Sequence, residues 1–515
     1  MKTLSVVICT LNSKYIHSSL APWYLKAALE SNCACNMNVH IVESTINDPL
    51  EAIAEKIVQL KPDIIGFSCY IWNIEQIKKL VKMVKKEADA VIVLGGPEVS
   101  FNAQETLASE PQVDFIICGE GEKPFAALVD AMAKQTDYTD IPGLCYRDGN
   151  DIYVKKPYET AESPPSPYSN EYMDSLNGRL AYLETSRGCP YSCAFCLSGS
   201  CGNVRFFDID RAKNEIVKLS KSGAKTIKLI DRTFNCNPKR SYEIFEFLIE
   251  NYGLAIPKGV CFHFEIAGDI LDERTIRLLS TAPAGLIQFE IGLQSFNPKT
   301  LETVNRKTDI NTLIGNIEKL IQPGNIHIHI DLIAGLPFED LQSIQNSFNI
   351  AYNLKPHMLQ LGFLKLLHGS TMRENPDAFP CEYSQDPPYE VIETPWLTRD
   401  ELEFLHHTED ALDRLYNSGR LRRTLAYLLD QTKESPFDLI SQFGFHTGNR
   451  TANIPLDDYT QLVFEYFSDR YKLDKTVLRD IMACDRLATN ASGSLPAVLR
   501  VEDPSLRSRI KEWEW

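Results

Sequence analysis

The sequence lacks three features, and each absence excludes a class of protein. No run of eighteen or more apolar residues occurs, so we expect no membrane-spanning helix and no membrane partner. Basic residues are in deficit: 53 Lys and Arg face 69 Asp and Glu, and the net charge of −16 argues against a large nucleic-acid footprint. The 14 cysteines are scattered singly outside one central loop, which favours a reducing cytoplasm over a disulfide scaffold.

The central loop gathers three of these cysteines. Cys189, Cys193 and Cys196 have C-x3-C-x2-C spacing and follow an apolar, strand-like run from Leu180 to Thr185. Three thiolates on one loop can hold three corners of a cubane iron–sulfur cluster, a cofactor usually held by four ligands. The missing fourth ligand leaves one iron open to a substrate or cosubstrate. The alternative is three structural thiols, since a free cysteine is often a small buried hydrophobic residue.

In this loop the sequence resembles the radical SAM superfamily, and Phe195 is the aromatic residue that the family pattern places before the last cysteine. The resemblance implies a [4Fe-4S] cluster whose open iron is chelated by S-adenosylmethionine, which is cleaved to a 5′-deoxyadenosyl radical. The three cysteines are then the catalytic and metal-binding residues. Cys201 and Cys236 lie near the loop, but no second cysteine-rich repeat exists, so we expect them to be bystanders.

Residues 180–370 alternate strand and helix patterns in six β/α units, too few for an eight-unit barrel. They resemble the open partial (β/α)6 barrel of the radical SAM fold, with chemistry at the carboxyl ends of the strands. Inward-facing carboxylates at these ends are either paired structural groups, as buried carboxylates usually are, or contacts of the cosubstrate. The resemblance assigns to S-adenosylmethionine, beside Phe195, the residues Asp231, Thr233 and Phe234 (amino group), Glu290, Gln294 and Ser295 (ribose), and Gly335, Leu336 and Pro337 (adenine).

Residues 1–140 form a second region in which strand and helix patterns alternate. Five short Val- and Ile-rich runs separated by amphipathic helical stretches predict parallel strands covered on both faces. Such units make a flavodoxin-like (Rossmann-type) sheet whose ligand lies beyond the carboxyl ends of the strands.

The predicted strand ends of this layer carry glycines, which let a backbone approach a bulky ligand closely. The alternative is tight strand-to-helix turns with no ligand. The order and spacing of Ser68 and the pair Gly95-Gly96 are similar to those of the cobalamin-binding domains that precede many radical SAM cores. The resemblance implies these cobalamin contacts: His17, Ser68, Tyr70, Gly95, Gly96, Pro97, Glu98, Gly119 and Glu120.

His17 departs from the pattern of domains in which a histidine ligates cobalt. Those domains carry D-x-H-x-x-G after the first strand, and here the Asp and the Gly are missing. A ligating histidine usually has a carboxylate that orients it. We therefore favour a helix-start or pocket-lining role for His17 over cobalt ligation.

Two further regions complete the chain. Residues 141–179 are a predicted connector, with a hairpin around 147–151 and a stiff proline-rich linker at 162–167. Residues 371–515 show helical periodicity over 398–430 and 456–487 and are expected to form a mostly α-helical domain, placed as a lid. In this domain Arg420, Arg422 and Arg423 either contact an anionic substrate or, as we favour, form a solvated helix face.

The leading hypothesis is a cytoplasmic, cobalamin-dependent radical SAM enzyme that methylates an unactivated carbon, or rearranges or cyclises a small molecule or peptide. Flavodoxin or ferredoxin is the expected kind of electron donor. One alternative is a radical SAM enzyme whose first domain binds no cobalamin and only docks substrate. Another is a redox or cobalamin sensor, which we disfavour because a switch has no need for the adenosyl-pocket residues around Glu290 and Gly335.

Overall fold

The computed structural model describes residues 3–200, 203–490 and 494–500, so Cys201 lies outside the described residues. The chain divides into two compact units. The first takes the described residues up to Gln288 together with Lys365–Phe379 and Tyr383–Glu390, and the second, which begins at Phe289, takes the rest.

Seven strands form the first sheet, and six helices follow or connect them. The strands are β1 (Leu4–Asn12), β2 (Met37–Thr45), β3 (Ile64–Ser68), β4 (Val91–Gly95), β5 (Phe115–Ile117), β6 (Leu144–Asp148) and β7 (Asp151–Tyr153). The helices are α1 (Ala21–Asn32), α2 (Leu50–Gln59), α3 (Ile74–Glu87), α4 (Pro97–Ser100), α5 (Ala103–Ser109) and α6 (Glu122–Lys134). The strand order is β2-β1-β3-β4-β5-β6-β7, and β1 to β5 pair in parallel.

Alternation along β1 explains why helices cover both faces of this sheet. Val7 and Cys9 belong to one apolar core with residues of α2, α3 and α5, whereas Val6 and Ile8 belong to another with residues of α1 and α6. Successive side chains of a strand point to opposite faces, so a continuous apolar strand requires cover on both sides. The flavodoxin-like layer expected from the sequence is confirmed.

The hairpin expected in the connector is present as β6 and β7, but it also extends the first sheet. β5 and β6 pair antiparallel with Ile116 opposite Cys145, and β6 and β7 pair antiparallel in turn. Helix α7 (Asn170–Ser175) follows, with Ser169 accepting a hydrogen bond from the backbone N–H of Tyr172 at its start.

Strands and helices then alternate through the centre of the chain. In the first unit these elements are β8 (Ala181–Leu183), β9 (Ser186–Arg187), β10 (Arg205–Phe206), α8 (Ile209–Ser220), β11 (Thr226–Leu229), α9 (Pro238–Asn251), β12 (Cys261–Ile266) and α10 (Glu273–Leu279). Next come β13 (Ile287–Gln294), α11 (Pro298–Thr303), α12 (Ile310–Ile321), β14 (His327–Ala334), α13 (Leu341–Asn353) and β15 (Met358–Phe363). In the first unit β11 lies between β8 and β12 and is parallel to both; in the second unit β14 lies between β13 and β15.

The helices of this central region begin at side-chain caps. The capping residues of α8 to α13 each accept a backbone N–H of the first turn, and they are Asp208, Asn237, Asp272, Asn297, Asp309 and Asp340. Such caps contribute about 1 kcal/mol each and fix where each loop ends and each helix begins. The lengths of the loops beyond the strands are therefore set locally by the sequence.

The remaining elements are mostly helical, as expected. They are α14 (Thr371–Glu374), β16 (Glu382–Tyr383), β17 (Val391–Glu393), α15 (Arg399–Leu412), α16 (Arg422–Thr432), α17 (Pro436–Thr447), α18 (Leu456–Arg470) and α19 (Lys475–Thr489). A π-helix, Asp413–Asn417, follows α15. α15 and α17 pack so closely that a Cβ on Gly444 would lie 2.2 Å from the carbonyl oxygen of His407. None of the helices in the described ranges is both long enough and apolar enough to span a membrane.

Candidate active site

The cysteine loop is closed at its base by a short β-ladder. β9 and β10 pair antiparallel, with Arg187 opposite Arg205, so the chain leaves and re-enters the loop at one place. Gly188 opens the loop with φ +96, and a Cβ there would lie 2.8 Å from the carbonyl oxygen of Asn203. Only glycine accepts this conformation and contact without strain.

Within the loop, Cys193 is buried and Cys189 and Cys196 are partly exposed. The backbone N–H of Cys196 donates to the carbonyl of Cys193 over 3.1 Å, which makes the second half of the loop a tight turn. Phe195, between them, is half-buried. Among the residues that the structure describes, no group of three or more His, Cys, Asp or Glu side chains is gathered closely enough to hold a metal ion. The ligand role of the three cysteines stays a prediction.

Asp231 holds the strand end that leads into this loop. Its carboxylate is 1% exposed and accepts hydrogen bonds from the backbone N–H of Thr185 (3.0 Å), the hydroxyl of Thr185 (2.7 Å) and the hydroxyl of Ser186. Burial raises the pKa of Asp231 to about 6. The sequence assigned this residue to the methionine amino group, whereas the structure gives its oxygens donors from the protein.

The other residues predicted at this strand end line its loop. The Thr233 hydroxyl oxygen lies 3.5 Å from the Cys189 sulfur, and Phe234 packs against Phe264 with ring centroids 4.5 Å apart. Cys236 is close enough to Cys189 for their charges to interact, although burial is the main cause that raises its pKa to about 11. Thr233 therefore stays a candidate contact beside the cluster loop, and Phe234 belongs to the core.

In the second unit the residues predicted at the end of β13 divide into two groups. Glu290 and Gln294 are half-buried on the strand, and Gln294 has φ +75, an uncommon conformation for a residue other than glycine. Ser295 is 0% exposed and donates its hydroxyl to Glu339 over 2.5 Å. Glu290 and Gln294 stay predicted ribose contacts, whereas the Ser295 hydroxyl is used inside the protein.

Glu339 is a residue that sequence reasoning missed. It follows the turn Gly335-Leu336-Pro337, in which Gly335 has φ +94 and a Cβ would lie 2.7 Å from the side chain of Val391. The Glu339 carboxylate is 1% exposed, and its Oε2 has no hydrogen-bond partner among the described residues. Burial raises the pKa of Glu339 to about 7. The sequence feature that could have drawn attention to Glu339 is its position shortly after an apolar strand and a turn.

In the first sheet, His17 is held by neighbours in the same unit. Its Nδ1 lies 2.7 Å from the hydroxyl of Tyr182, and its carbonyl accepts from Arg179, which in turn forms an ion pair with Glu43. Burial is the largest cause that lowers the pKa of His17 below its ordinary value. The helix-start or pocket-lining role of His17 stays a prediction.

Asn73 organises the ends of β1 and β3, and the sequence analysis did not single it out. Its side-chain NH2 donates to the carbonyls of Leu11 and Ser68, both over 3.0 Å, and its oxygen accepts the backbone N–H of Tyr70 over 2.8 Å. The Tyr70 ring stacks on Trp72 with centroids 4.5 Å apart. Ser68, the last residue of β3, is buried, whereas 43% of the surface of Trp72 is exposed.

The two glycines after β4 differ in what they require. A Cβ on Gly96 would lie 2.5 Å from the carbonyl oxygen of Cys69, and its φ is +110, whereas a Cβ on Gly95 would meet only the Ile117 carbonyl at 3.6 Å. Gly96 is thus demanded by the fold itself. Pro97 is exposed, and the buried Glu98 accepts a hydrogen bond from the hydroxyl of Tyr389. Among the four residues from Gly95 to Glu98, Gly95 is therefore the strongest candidate for a close approach by a ligand.

The turn after β5 connects to the base of the cysteine loop. A Cβ on Gly119 would lie 2.3 Å from the carbonyl oxygen of Tyr158, which explains the glycine without a ligand. The Glu120 carboxylate forms ion pairs with Arg187 (2.7 Å) and Arg205 (2.8 Å), the two residues that face each other across the β9–β10 ladder. Arg187 is also paired with two further glutamates, Glu122 and Glu184.

The residues present fit the cofactors that the sequence implies. The cysteine loop offers three thiols on a clamped turn, a donor set suited to an iron–sulfur cluster with one open iron. The strand-end edge of the first sheet offers Gly95, where a Cβ would make only an ordinary contact, and exposed aromatic rings at Tyr15 (69%) and Trp72 (43%). Exposed aromatic and glycine surface of this kind fits a large, partly apolar macrocycle.

Comparison with known protein families finds three models that match separate regions of the chain. A model of the B12 binding domain matches residues 6–129, a model of the radical SAM superfamily matches residues 183–351, and a model described as Protein of unknown function (DUF4080) matches residues 377–514.

Curated relatives match more than half of the chain. A 2-(S-pantetheinyl)-carbapenam-3-carboxylate methyltransferase from Streptantibioticus cattleyicolor is 29% identical over 406 residues, 71% of this chain and 59% of the relative. The cobalamin-dependent radical SAM methyltransferase TokK from Streptomyces tokunonensis is 31% identical over 319 residues, 58% of this chain and 46% of the relative. The chain thus spans about half the length of these relatives.

A solved structure resembles the whole chain. The cobalamin-dependent S-adenosylmethionine radical enzyme OxsB, with aqua-cobalamin and S-adenosylmethionine bound, aligns with a TM-score of 0.64 and 13% identity over 99% of this chain and 84% of OxsB. At this identity the likeness establishes the fold.

The matched models define the domains of the chain: residues 183–351 are a radical SAM domain. A B12 binding domain precedes it at residues 6–129, and the DUF4080 region follows it at residues 377–514. The resemblance drawn from the cysteine loop and from the glycines of the first layer is confirmed at the level of these two domains.

Proposed function

We propose that this protein is a cobalamin-dependent radical SAM enzyme that transfers a methyl group to an unactivated carbon of a small molecule or peptide. The observation that carries the proposal is the combination of a B12-binding region and a clamped loop of three free cysteines in one compact unit. Both curated relatives described above are methyltransferases, which favours methylation over the rearrangement or ring closure also considered. The match to the B12 binding domain disfavours the cobalamin-free alternative.

In this proposal Cys189, Cys193 and Cys196 hold the [4Fe-4S] cluster. When bound, the cluster and S-adenosylmethionine supply radical chemistry and cobalamin supplies a transferable methyl group; the protein orients them and excludes water. A small electron-transfer protein such as flavodoxin or ferredoxin is the proposed electron donor.

The chain's own residues fix the loop that carries the thiols. Hydrogen bonds to Asp231 hold Thr185 and Ser186 near the end of β11. The β9–β10 pairing at Arg187 closes the base of the loop, two residues before Cys189. Asp231 is then a positioning residue and not a contact of the cosubstrate. Thr233, which touches the Cys189 sulfur, is the proposed contact at this strand end.

The proposed adenosyl contacts of the second unit are Glu290 and Gln294 for the ribose hydroxyls, together with the turn Gly335–Pro337 for the adenine. Ser295 acts through Glu339: its hydroxyl donates to the carboxylate that follows this turn, so the end of β13 and the end of β14 are held together. A carboxylate and an amide are suitable partners for ribose hydroxyls because both accept O–H donors.

In the first unit, Gly95 and the rings of Tyr70 and Trp72 are the proposed cobalamin contacts, and His17 lines the pocket. Gly96 and Gly119 shape their turns, because each faces a backbone carbonyl where a Cβ would intrude. Glu120 anchors the base of the cysteine loop through its two arginines, which makes it a positioning residue in this proposal.

Reductive cleavage of S-adenosylmethionine tests the proposal. The full chain, reconstituted anaerobically with iron and sulfide, is expected to contain about four irons and to release 5′-deoxyadenosine or a methylated product when reduced. Cys193→Ala should lose most of the iron and all turnover. Cys236→Ala is the matched control, because this thiol lies beside the same loop and is not a proposed ligand; it should keep both. Full turnover in Cys193→Ala would refute the assignment.

A further inference from the structure

The C-terminal helices enclose a cavity in the second unit. Its volume is about 340 Å³, and it lies among the π-helix Asp413–Asn417, the segment that follows it, α18 and α19. Sites for small molecules have volumes of about this size. The Proposed function assigns no role to these residues, so the cavity is an unexplained feature of the DUF4080 region.

Two buried hydrogen-bond donors in the wall of this cavity have no partner among the described residues. The Tyr459 side chain is 4% exposed, and its hydroxyl is unpaired. Arg486 donates from Nη2 to Asp457 over 2.8 Å, but its buried Nε is unpaired. A buried polar group without a partner destabilises a fold, so such groups call for a ligand, an ion or a water. Both groups can donate, which indicates a ligand that accepts.

The charges around the cavity favour an anion. Three arginines line it, Arg414, Arg420 and Arg486, against two carboxylates, Asp410 and Asp413. The carboxylates already have partners inside the protein. Asp410 accepts from Arg414 (2.9 Å) and from Thr451 (2.7 Å), and Asp413 accepts from the side-chain amide of Asn417 over 2.6 Å. Arg486 is likewise paired with Asp457, so Arg420 is the arginine of the wall that has no ion pair among the described residues. Its positive charge is left for a ligand.

The rest of the wall includes the apolar side chains of Leu421, Ile454 and Met482. A bare inorganic anion would leave this surface uncovered, whereas an organic anion would bury it against a hydrocarbon stem. Burial of apolar surface supplies affinity, and the few polar groups supply orientation. The wall therefore matches an amphiphilic molecule with one anionic end.

The π-helix connects the cavity to strand β15 of its own unit. Asn417 donates from its side-chain amide to the carbonyl of Leu359 over 2.8 Å and accepts the backbone N–H of Leu359 over 2.9 Å, so it acts as a pairing partner for β15. Asp413 and Arg414, in the same π-helix, line the cavity. Short π-helical segments often occur at functional sites, and this one joins a cavity to a strand.

We propose that this cavity is a binding site for a small organic anion, a carboxylate or a phosphate monoester on an apolar stem. Tyr459 and Arg486 donate to its anionic oxygens, and Leu421, Ile454 and Met482 pack on the stem. The site is separate from the residues assigned to the cluster, S-adenosylmethionine and cobalamin, and it does not depend on the Proposed function.

Calorimetric titration of the full chain tests the site with chemically matched probes. Hexanoate and hexyl phosphate carry the two anionic groups on one stem; hexylammonium reverses the charge, 1-hexanol removes it, and inorganic phosphate removes the stem. We expect at least one of the two hexyl anions to bind saturably, and the three other probes to bind about tenfold more weakly or not at all. No saturable binding of either hexyl anion up to about 10 mM would overturn the proposal, as would equal binding of hexylammonium.

Variants locate the binding. Tyr459→Phe and Arg486→Met should each weaken binding of the anion about tenfold, the effect of losing one hydrogen bond to a charged group. Tyr471→Phe is the matched control, since this tyrosine follows the same helix and does not line the cavity; it should bind as the unaltered protein does. Tyr459→Phe should also leave the melting temperature of the free protein unchanged or higher, because its hydroxyl has no partner to lose. Unchanged affinity in both cavity variants, with a lower melting temperature for Tyr459→Phe, would make the hydroxyl structural and refute the site.

Discussion

The two α/β regions hold the ends of their strands together in different ways. In the first sheet many of the contacts are neutral: Asn73 bridges two strand ends, and Gly96 and Gly119 admit backbone carbonyls. The Glu98–Tyr389 hydrogen bond and the ion pairs of Glu120 are acidic exceptions. In the radical SAM region the same task falls to buried carboxylates, Asp231 and Glu339. The stability of the strand ends in the radical SAM region should therefore depend on pH and on single side chains. In the first sheet, the stability of the strand ends should depend on backbone geometry.

The largest effect that we expect is that of Asp231→Ala. The change leaves the backbone N–H of Thr185 and two hydroxyls without their acceptor, and it should cost about 2–4 kcal/mol. The measurement is the melting temperature by calorimetry. Asp272→Ala is the control: it removes an exposed cap of α10 and should cost about 1 kcal/mol. Equal losses in the two variants would show that Asp231 does not hold its strand end.

The next effect is that of Gly96→Ala. A Cβ would lie 2.5 Å from the Cys69 carbonyl in a conformation with φ +110, so we expect a loss of about 2–3 kcal/mol. Gly95→Ala is the matched control and should cost less than about 0.5 kcal/mol, because its Cβ would meet only one carbonyl at 3.6 Å. Thermal denaturation compares the two. An equal loss at both positions would contradict the distinction between a glycine required by the fold and one open to a ligand.

This pair also corrects an expectation from the sequence. From the sequence, Gly95 and Gly96 are both predicted to be positions where a ligand approaches. A glycine can be required by a ligand or by a nearby backbone carbonyl, and the sequence alone does not distinguish the two causes. A test of cobalamin binding by substitution at Gly96 would be confounded by the fold. Gly95→Leu is the appropriate variant, and it should weaken hydroxocobalamin binding while leaving the iron content unchanged.

A smaller, pH-dependent effect is expected from Glu339→Gln. Burial raises the pKa of Glu339 from its ordinary value of 4.5 to about 7, so the folded state holds the proton more tightly than the unfolded state. Its contribution to stability is fully present below about pH 4.5 and is lost as the pH rises through 7. The unaltered protein should therefore lose about 2–3 kcal/mol more than the variant between pH 5 and pH 8. Parallel melting curves against pH for both proteins would contradict the buried, protonated state.

The smallest effect is expected from His17→Ala. Its Nδ1 is engaged with Tyr182, and it lacks the carboxylate that usually orients a ligating histidine. Binding of hydroxocobalamin should change less than about threefold, within the range of an exposed pocket contact. Electron paramagnetic resonance of the cob(II)alamin form is the measurement. Nitrogen superhyperfine splitting that disappears in the variant would show that His17 ligates cobalt.

Periodicity and short motifs were sufficient to predict the architecture. Each of the five Val- and Ile-rich runs corresponds to a strand, β1 to β5. The C-x3-C-x2-C spacing predicted the radical SAM domain. The partners of single side chains were not predictable, because they depend on residues far apart in the chain. Glu120 meets Arg187 and Arg205, and Asp231 meets Thr185 and Ser186, only after the fold brings them together.

The surroundings of some residues could not be predicted from their neighbours in the sequence. Glu339 stands directly after a recognisable turn, and nothing in the order of residues reveals that its carboxylate is buried. The hairpin β6–β7 reads as a connector because its strands are short, yet its backbone pairs with the edge of the first sheet. The arginines of the C-terminal helices look like a solvated face, although Arg420 lines a cavity.

The proposed function requires that one chain bind both a three-thiolate cluster and cobalamin. This requirement is tested by the metal content of the full chain after anaerobic reconstitution with iron, sulfide and hydroxocobalamin, measured by plasma mass spectrometry after gel filtration. We expect about four irons and about one cobalt per chain, with iron lost and cobalt kept in Cys193→Ala. Iron without cobalt in the unaltered protein, at excess hydroxocobalamin, would refute cobalamin binding and favour a radical SAM enzyme that binds no cobalamin.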